Sequence, residues 1–333
     1  MSEKFRFGLI GAGGIAKAYA GAFNQSDRAS LVSVADVSES AAKELADSVG
    51  GRAFNSHEQM LRENNLDAVL ICTPPNSHPH IAADALRHGL HVLCEKPLSI
   101  RSEQARLMAR TAEENDRILT MASKFRCVAD VTKAKEIVES GELGKIILFE
   151  NAFTSFVDMS NRWNSNKEIS GGGVLIDNGT HSLDISRYIL GPLAEIDVVE
   201  GRRTQDLDVE ETVNIFARSE SGVLANIDLS WTINKSLDYY IRIFGSEGEL
   251  FIGWKESRIR RNGGDWEVIG TGYNKTAAFL TQIENFAGAI RGEEDLLITA
   301  EDGIASVEAV EAAYRALGNK EWQSVGDVNA VAA

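Results

Sequence analysis

The chain has 333 residues, enough for two domains of ordinary size, each with its own core. Apolar residues make up 44% and charged residues 25%, the balance of a folded globular protein rather than a disordered one. A formal net charge of −15 argues against nucleic acid and against a polybasic membrane surface, and no run of about 18 apolar residues predicts a transmembrane helix.

Residues 5–10, FRFGLI, form a short apolar run that ends in GAGGIA, followed by a helical pattern to about Asn24. The strand SLVSVAD and the helix SESAAKELADSV come next, then RAF and a helix opening with the capping-box spacing Ser56…Gln59. The buried strand DAVLICTP leads into SHPHIAADALRHG, a helix with Pro79 in its first turn and Gly89 as its stop. HVLCEKP, EQARLMARTAEEN and RILTMAS continue as strand, helix and strand. Such alternation predicts right-handed βαβ units and a doubly wound parallel sheet over residues 1–124.

From residue 125 the pattern changes. A helix, VADVTKAKEIVESG, and a long strand, KIILFENAFTSF, precede a helix at about 174–189 and then a run of strands from AEIDVVEGRR to WEVIG, several joined by hairpin turns. Residues 125–333 are therefore expected to form an α+β domain on an open, mostly antiparallel sheet, closed by helices near 276–291 and 300–317. In the strands ANIDLSWTI and YYIRIFG, apolar and aromatic residues occur at both parities, so both sheet faces need burial and a homodimer or homotetramer through this sheet is expected.

Cys72, Cys94 and Cys127 are an odd number without paired spacing, and Cys72 and Cys94 fall in apolar runs that suit buried, reduced thiols. The opening MSEKFRFGLIGAGG runs straight into a strand with no signal-peptide pattern. A cytoplasmic location is the expectation.

The first βα turn fits G-x-G-x-x-G/A through Gly11, Gly13 and Ala16, with Ala12, Gly14 and Ile15 between them. Gly11 permits the tight turn, Gly13 allows a pyrophosphate to approach the backbone, and Ala16 lets the helix pack close to the strand. Asp36 ends the second strand, where a carboxylate accepts hydrogen bonds from ribose hydroxyls and meets a 2′-phosphate without a compensating cation, so NAD is expected rather than NADP. Lys96, in Glu95-Lys96-Pro97, closes the fifth strand, where ligands sit in such sheets. In GGGVLIDNGTH, Asp177 and His181 are four positions apart, hence on one helical face. His78 and His80 lack a third ligand at recognisable spacing, and no metal is expected.

GAGGIA (11–16), TPPNSHPHIA (73–82), CEKPLS (94–99) and GGGVLIDNGTHSLD (171–184), in this order and spacing, resemble the Gfo/Idh/MocA oxidoreductases, named for glucose–fructose oxidoreductase and inositol dehydrogenase. The resemblance implies an N-terminal Rossmann domain and a C-terminal domain whose outer sheet face forms a subunit interface. It implies that Lys96, Asp177 and His181 act on the nicotinamide and the substrate hydroxyl. It also implies cofactor contacts from Gly11, Ala12, Gly13, Gly14, Ile15, Asp36, Thr73, Pro74, Asn76, His78, Glu95 and Lys96. Arg126, Trp163 and one of the Tyr239/Tyr240 pair, Tyr239 being preferred, are expected to line the substrate pocket, whose selectivity is set by loops such as 155–170. The expected activity is NAD-dependent oxidation of a secondary alcohol of a sugar, cyclitol or nucleotide sugar. NAD-dependent glycoside hydrolysis and a non-catalytic dinucleotide sensor are the alternatives.

Overall fold

Strands and helices alternate through the first third of the computed structural model, which describes residues 3–63 and 65–326. In order they are β1 (Phe5–Ile10), α1 (Gly14–Phe23), β2 (Ala29–Ala35), α2 (Glu39–Val49), β3 (Arg52–Phe54), α3 (His57–Glu63), β4 (Ala68–Ile71), α4 (His78–Arg87), β5 (His91–Glu95), α5 (Ser102–Glu114) and β6 (Leu119–Ala122). The strands pair in parallel in the order β3-β2-β1-β4-β5-β6. Central strands of such a sheet carry helices on both faces and read as unbroken apolar runs. All four residues of β4 are accordingly buried. The strand order reverses between β1 and β4, so the carboxyl ends of these two strands flank the crevice where a ligand can enter.

The chain continues with α6 (Ala129–Glu139), β7 (Ile146–Thr154), α7 (Lys167–Ser170), α8 (Val174–Leu190), β8 (Leu193–Glu200), β9 (Thr212–Ser219), β10 (Leu224–Ser230), β11 (Tyr239–Gly245), β12 (Gly248–Gly253), β13 (Ser257–Arg261) and β14 (Glu267–Gly270). After α9 (Lys275–Ile290) and α10 (Ala300–Asn319) comes β15 (Gln323–Ser324). The second sheet runs β14-β13-β12-β11-β7-β10-β9-β8-β15; β7 pairs with β10 in parallel and its other pairings are antiparallel. This is the expected open, mostly antiparallel sheet, and the chain's other sheet is the expected Rossmann one.

Strand register sorts this second sheet into two faces. Phe149, Ile227, Ile215 and Leu229 point to the inner face, where α8 packs. A Cβ added to Gly179 of α8 would lie 3.2 Å from Leu229 and 3.9 Å from Ile215, so helix and sheet meet with little side chain between them. Leu148, Leu224, Phe216 and Phe244 occupy the outer face.

The chain divides differently from the sequence expectation. One compact unit comprises residues up to Cys127 together with Asn274–Ile304, and the other comprises Val128–Tyr273 and the chain from Ala305 onward. The helix expected near 276–291 to close the second domain, α9, instead completes the core of the first. Phe279 lies with its ring 4.0 Å from that of Tyr19, Phe286 lies 6.0 Å from Phe7, and Ile283 joins the same cluster. Burying these side chains against α1 and β1 removes large aromatic surface from water, and that gain fixes the helix there. Among the described residues, no helix is long and apolar enough to cross a membrane.

Candidate active site

In the first unit the functional candidates gather at the carboxyl ends of β1, β2, β4 and β5. Gly11 has φ +96°, and a Cβ there would stand 2.8 Å from the backbone of Cys72 and Thr73, so only glycine fits where β1 and β4 end together. Gly13 caps α1 without a side-chain hydrogen bond, and the first turn holds no acidic residue. A Cβ added at Gly13 or Gly14 would meet no atom within 4 Å. The helix N-terminus therefore presents its amides to open space, the arrangement that receives an anion. Asp36 folds back over this turn: Oδ2 accepts from Ala12 N–H at 2.6 Å and Oδ1 from Ser38 N–H at 2.8 Å.

Glu95 is buried at the end of β5. Its Oε1 accepts from the Tyr19 hydroxyl at 2.9 Å and its Oε2 from the Lys96 amide at 3.1 Å. Burial pushes this carboxyl above the usual carboxylate range. Lys96 itself is half-buried. Thr73 and Pro74 are half-buried and Asn76 is exposed in the turn after β4, where Ser77 Oγ donates to Thr73 Oγ1 at 2.7 Å.

In the second unit, α8 carries Asp177 in its first turn, half-buried, and His181 one turn on, 6% exposed. The three preceding glycines have separate causes. Gly171 ends α7 at φ +87°. A Cβ on Gly172 would fall 1.8 Å from the Tyr314 hydroxyl, and one on Gly173 would fall 2.1 Å from the Glu210 carbonyl oxygen. That crowding arises because Glu210 caps the helix. Its Oε1 accepts from Gly173 N–H at 2.8 Å, Leu175 N–H at 3.1 Å and Tyr314 O–H at 2.8 Å, while its own carbonyl accepts from Val174 N–H at 2.9 Å. The carboxyl is 5% exposed, and burial raises its pKa.

Beside His181 stands an aromatic row: its ring is 6.4 Å from Phe153, which stacks on Tyr240 at 5.9 Å, and Tyr240 meets Trp254 at 4.6 Å. Tyr239 is on the opposite face, against Phe251 and Arg242. Strict alternation would align Tyr239 with Ile241 and Ile243 on the inner face. A bulge between Tyr239 and Ile241 breaks that count and sends Tyr240 inward. Tyr239, expected to line the substrate pocket, thus stands on the face away from His181, while Tyr240 is fully buried in the aromatic row.

Two other candidates are engaged within the protein. His78 is fully buried, with Nδ1 2.9 Å from the Pro97 carbonyl and Nε2 2.8 Å from that of Thr73. It clamps the ends of β4 and β5 together and offers no ring nitrogen to a cofactor. Arg126 is 4% exposed and pairs with Asp302 at 3.1 Å rather than opening to a pocket. Trp163 stays 45% exposed in the loop before α7. Among the described residues, no group of three or more His, Cys, Asp or Glu side chains could hold a metal ion.

The family profile described as "Oxidoreductase family, NAD-binding Rossmann fold" matches residues 5–123, and the "GFO/IDH/MocA C-terminal domain" profile matches 131–251. The chain belongs to the Gfo/Idh/MocA oxidoreductases. Its relatives include inositol 2-dehydrogenase of Rhizobium meliloti, 25% identical with 96% of this chain and 99% of that one aligned. Myo-inositol 2-dehydrogenase of Thermotoga maritima is 28% identical over 74% of each chain. A levoglucosan dehydrogenase solved with NADH and levoglucosan superposes with a TM-score of 0.90 at 21% identity, covering 97% of this chain and all of that one. This Gfo/Idh/MocA chain is an NAD-binding oxidoreductase, and its own residues fit that cofactor. The open N-terminus of α1 suits a diphosphate, and the Asp36 carboxylate has further lone pairs for hydroxyl donors.

The buried cap of α8 leads to a test. Glu210→Gln keeps the accepting oxygen but cannot titrate, whereas Glu210→Ala leaves buried amides without an acceptor and should cost about 2–4 kcal/mol in urea unfolding. Because the folded-state pKa of Glu210 is raised, its contribution to stability is full below the ordinary carboxylate range and is lost as pH rises through the raised value. The stability of Glu210→Gln relative to wild type should therefore increase with pH across that interval. A pH-independent difference would show that the carboxyl titrates alike folded and unfolded.

Proposed function

We propose that the chain oxidises a secondary alcohol of a sugar, cyclitol or nucleotide sugar, with NAD preferred over NADP. The observation that carries this reading is the contrast between two glycine-rich turns: α1 begins with amides open to an anion, while α8 has its amides filled by Glu210 and so holds Asp177 and His181 in fixed register. When bound, NAD supplies the hydride acceptor.

His181 takes the hydroxyl proton, a task that suits an imidazole titrating near neutrality. The Lys96 ammonium stabilises charge developing on the reacting oxygen and helps hold the cofactor. Asp177 accepts a hydrogen bond from a substrate hydroxyl. The turn from Gly11 to Ile15 receives the diphosphate, Asp36 the ribose hydroxyls, and Thr73, Pro74, Asn76 and Glu95 complete the cofactor side. Trp163 lines the substrate. The free thiols of Cys72, Cys94 and Cys127 support a reducing, cytoplasmic setting.

His181→Ala should lower turnover by about 10²–10⁴-fold with cofactor affinity retained, and should remove the near-neutral limb of the pH–rate profile. Lys96→Ala should weaken NAD binding as well, and Lys96→Arg should not restore it, because a planar guanidinium does not replace a compact ammonium. Substantial turnover with an unchanged pH limb in His181→Ala would reverse the two roles.

The NAD preference rests on Asp36, a carboxylate followed by Val37, which is 97% exposed and brings no cation for a 2′-phosphate. Binding titrations should show NADH tighter than NADPH, with Asp36→Ala narrowing the gap. A wild-type preference for NADPH would refute it.

The outer sheet face is assigned to self-association, as a homodimer or homotetramer. Phe216, Leu224 and Val199 remain 40%, 46% and 56% exposed on neighbouring strands of that face. Light scattering should give a multiple of the 36.3 kDa chain mass, and a concentration-independent monomer would refute the assignment.

A further inference from the structure

The loop between β7 and α8 starts two residues after Phe153, the neighbour of His181, and ends at the first turn of the helix that carries Asp177 and His181. It also exposes two aromatic side chains, Phe156 at 68% and Trp163 at 45%. Large apolar rings left in water on such a loop suit the C–H faces of a sugar ring, provided that the loop holds them still.

One side chain from elsewhere in the second unit holds it. Gln205 Oε1 accepts from Met159 N–H at 3.0 Å, and its Nε2 donates to the carbonyls of Val157 at 3.1 Å and Trp231 at 3.2 Å. The amide is fully engaged, with its oxygen toward a donor and its nitrogen toward two acceptors. Val157 N–H donates back to the Trp231 carbonyl at 2.8 Å, and Met159 is 2% exposed, so Phe156 is flanked by fixed backbone.

Gln205 is in turn anchored by Glu211. That carboxylate, 0% exposed, accepts from the amides of Gln205 at 2.8 Å and Thr204 at 2.9 Å and from the Thr232 hydroxyl at 2.9 Å. Burial alone would raise its pKa, but these donors outweigh burial and hold it below the usual carboxylate range. It is the direct neighbour of Glu210, the cap of α8. One short segment thus fixes the helix through one carboxylate and the loop through the next.

We propose that Gln205, anchored by Glu211, is a specificity-positioning residue: it straps residues 155–159 and so sets where Phe156 and Trp163 meet the substrate. The assignment rests on the active-site reading given above.

Gln205→Ala is the test, since the residue is half-buried and its loss spares the core. Hydrogen exchange should accelerate in a peptide covering 155–160 and stay unchanged over 174–181. KM for the best sugar or cyclitol should rise about tenfold, with altered ranking among substrates, while KM for NAD and the pH–rate profile hold. Gln205→Glu, which keeps the acceptor for Met159 but turns a carboxylate oxygen on two carbonyls, should not rescue. Faster exchange at 155–160 with unchanged substrate KM and ranking overturns the proposal. Equal losses toward NAD and every alcohol also overturn it, because they mark a merely structural role. His181→Ala run in parallel separates the two readings. Turnover lost there but sugar KM unchanged in Gln205→Ala overturns the strap alone; turnover retained in both His181→Ala and Lys96→Ala overturns the site and the strap with it.

Discussion

A single buried carboxylate decides where α8 begins. The first amides of any helix lack partners in the helix itself, and here Glu210 supplies two of them with one oxygen while Tyr314 braces that same oxygen. A negative group at this end also meets the positive end of the helix dipole. The close approach leaves no space for a Cβ at Gly172 or Gly173, and the glycines are the consequence. Asp177 and His181 inherit their positions from this contact, one turn apart on a helix whose start cannot slide.

The same element, a helix opening after a glycine-rich turn, serves the opposite purpose in the first unit. No side chain caps α1, and the space before Gly13 and Gly14 is open. Asp36 could have capped that helix but spends its oxygens on Ala12, in the turn after β1, and on Ser38, at the start of α2. The protein's own anion thus stands beside the helix terminus without filling it. In the function proposed, a dinucleotide brings that anion in its diphosphate and donors for Asp36 in its ribose hydroxyls.

Local chemistry was legible in the sequence, and long-range partnership was not. GAGGIA, the strand–helix alternation and the Asp177…His181 spacing are written within short windows, and the Rossmann strand order follows from them. The glycines of 171–173 were legible as a request for space, but the groups that need the space, Glu210 and Tyr314, lie far along the chain. Arg126 looked available because its partner, Asp302, is remote in sequence. The pattern of α9 announces an apolar stripe without saying which core receives it, and Phe279 chose Tyr19. The facing of Tyr239 and Tyr240 was not legible because a bulge inserts one residue into an alternation that otherwise runs true. Consecutive acids at 210 and 211, entering an apolar strand, were the one available signal for the bracket described above.

The self-association proposed for the outer sheet face has to reckon with a net charge of −15. Two such chains repel at long range, and burying an unpaired carboxylate between them would cost several kcal/mol. On this face three acids are matched within the chain: Glu249 with Arg242 and Arg260, Asp228 with Lys235, and Glu195 with Arg218. Burial works against the Glu249 carboxylate, yet the two guanidinium groups outweigh it and keep the group ionised below the usual range. Between these pairs run Leu224, Leu148 and Phe244, in register across β10, β7 and β11, with Phe216 on the same face of β9. Where a charge already has its counter-charge in this way, a second copy can cover it without stranding an ion. A face patterned only for solvent would have no need of that matching across six strands.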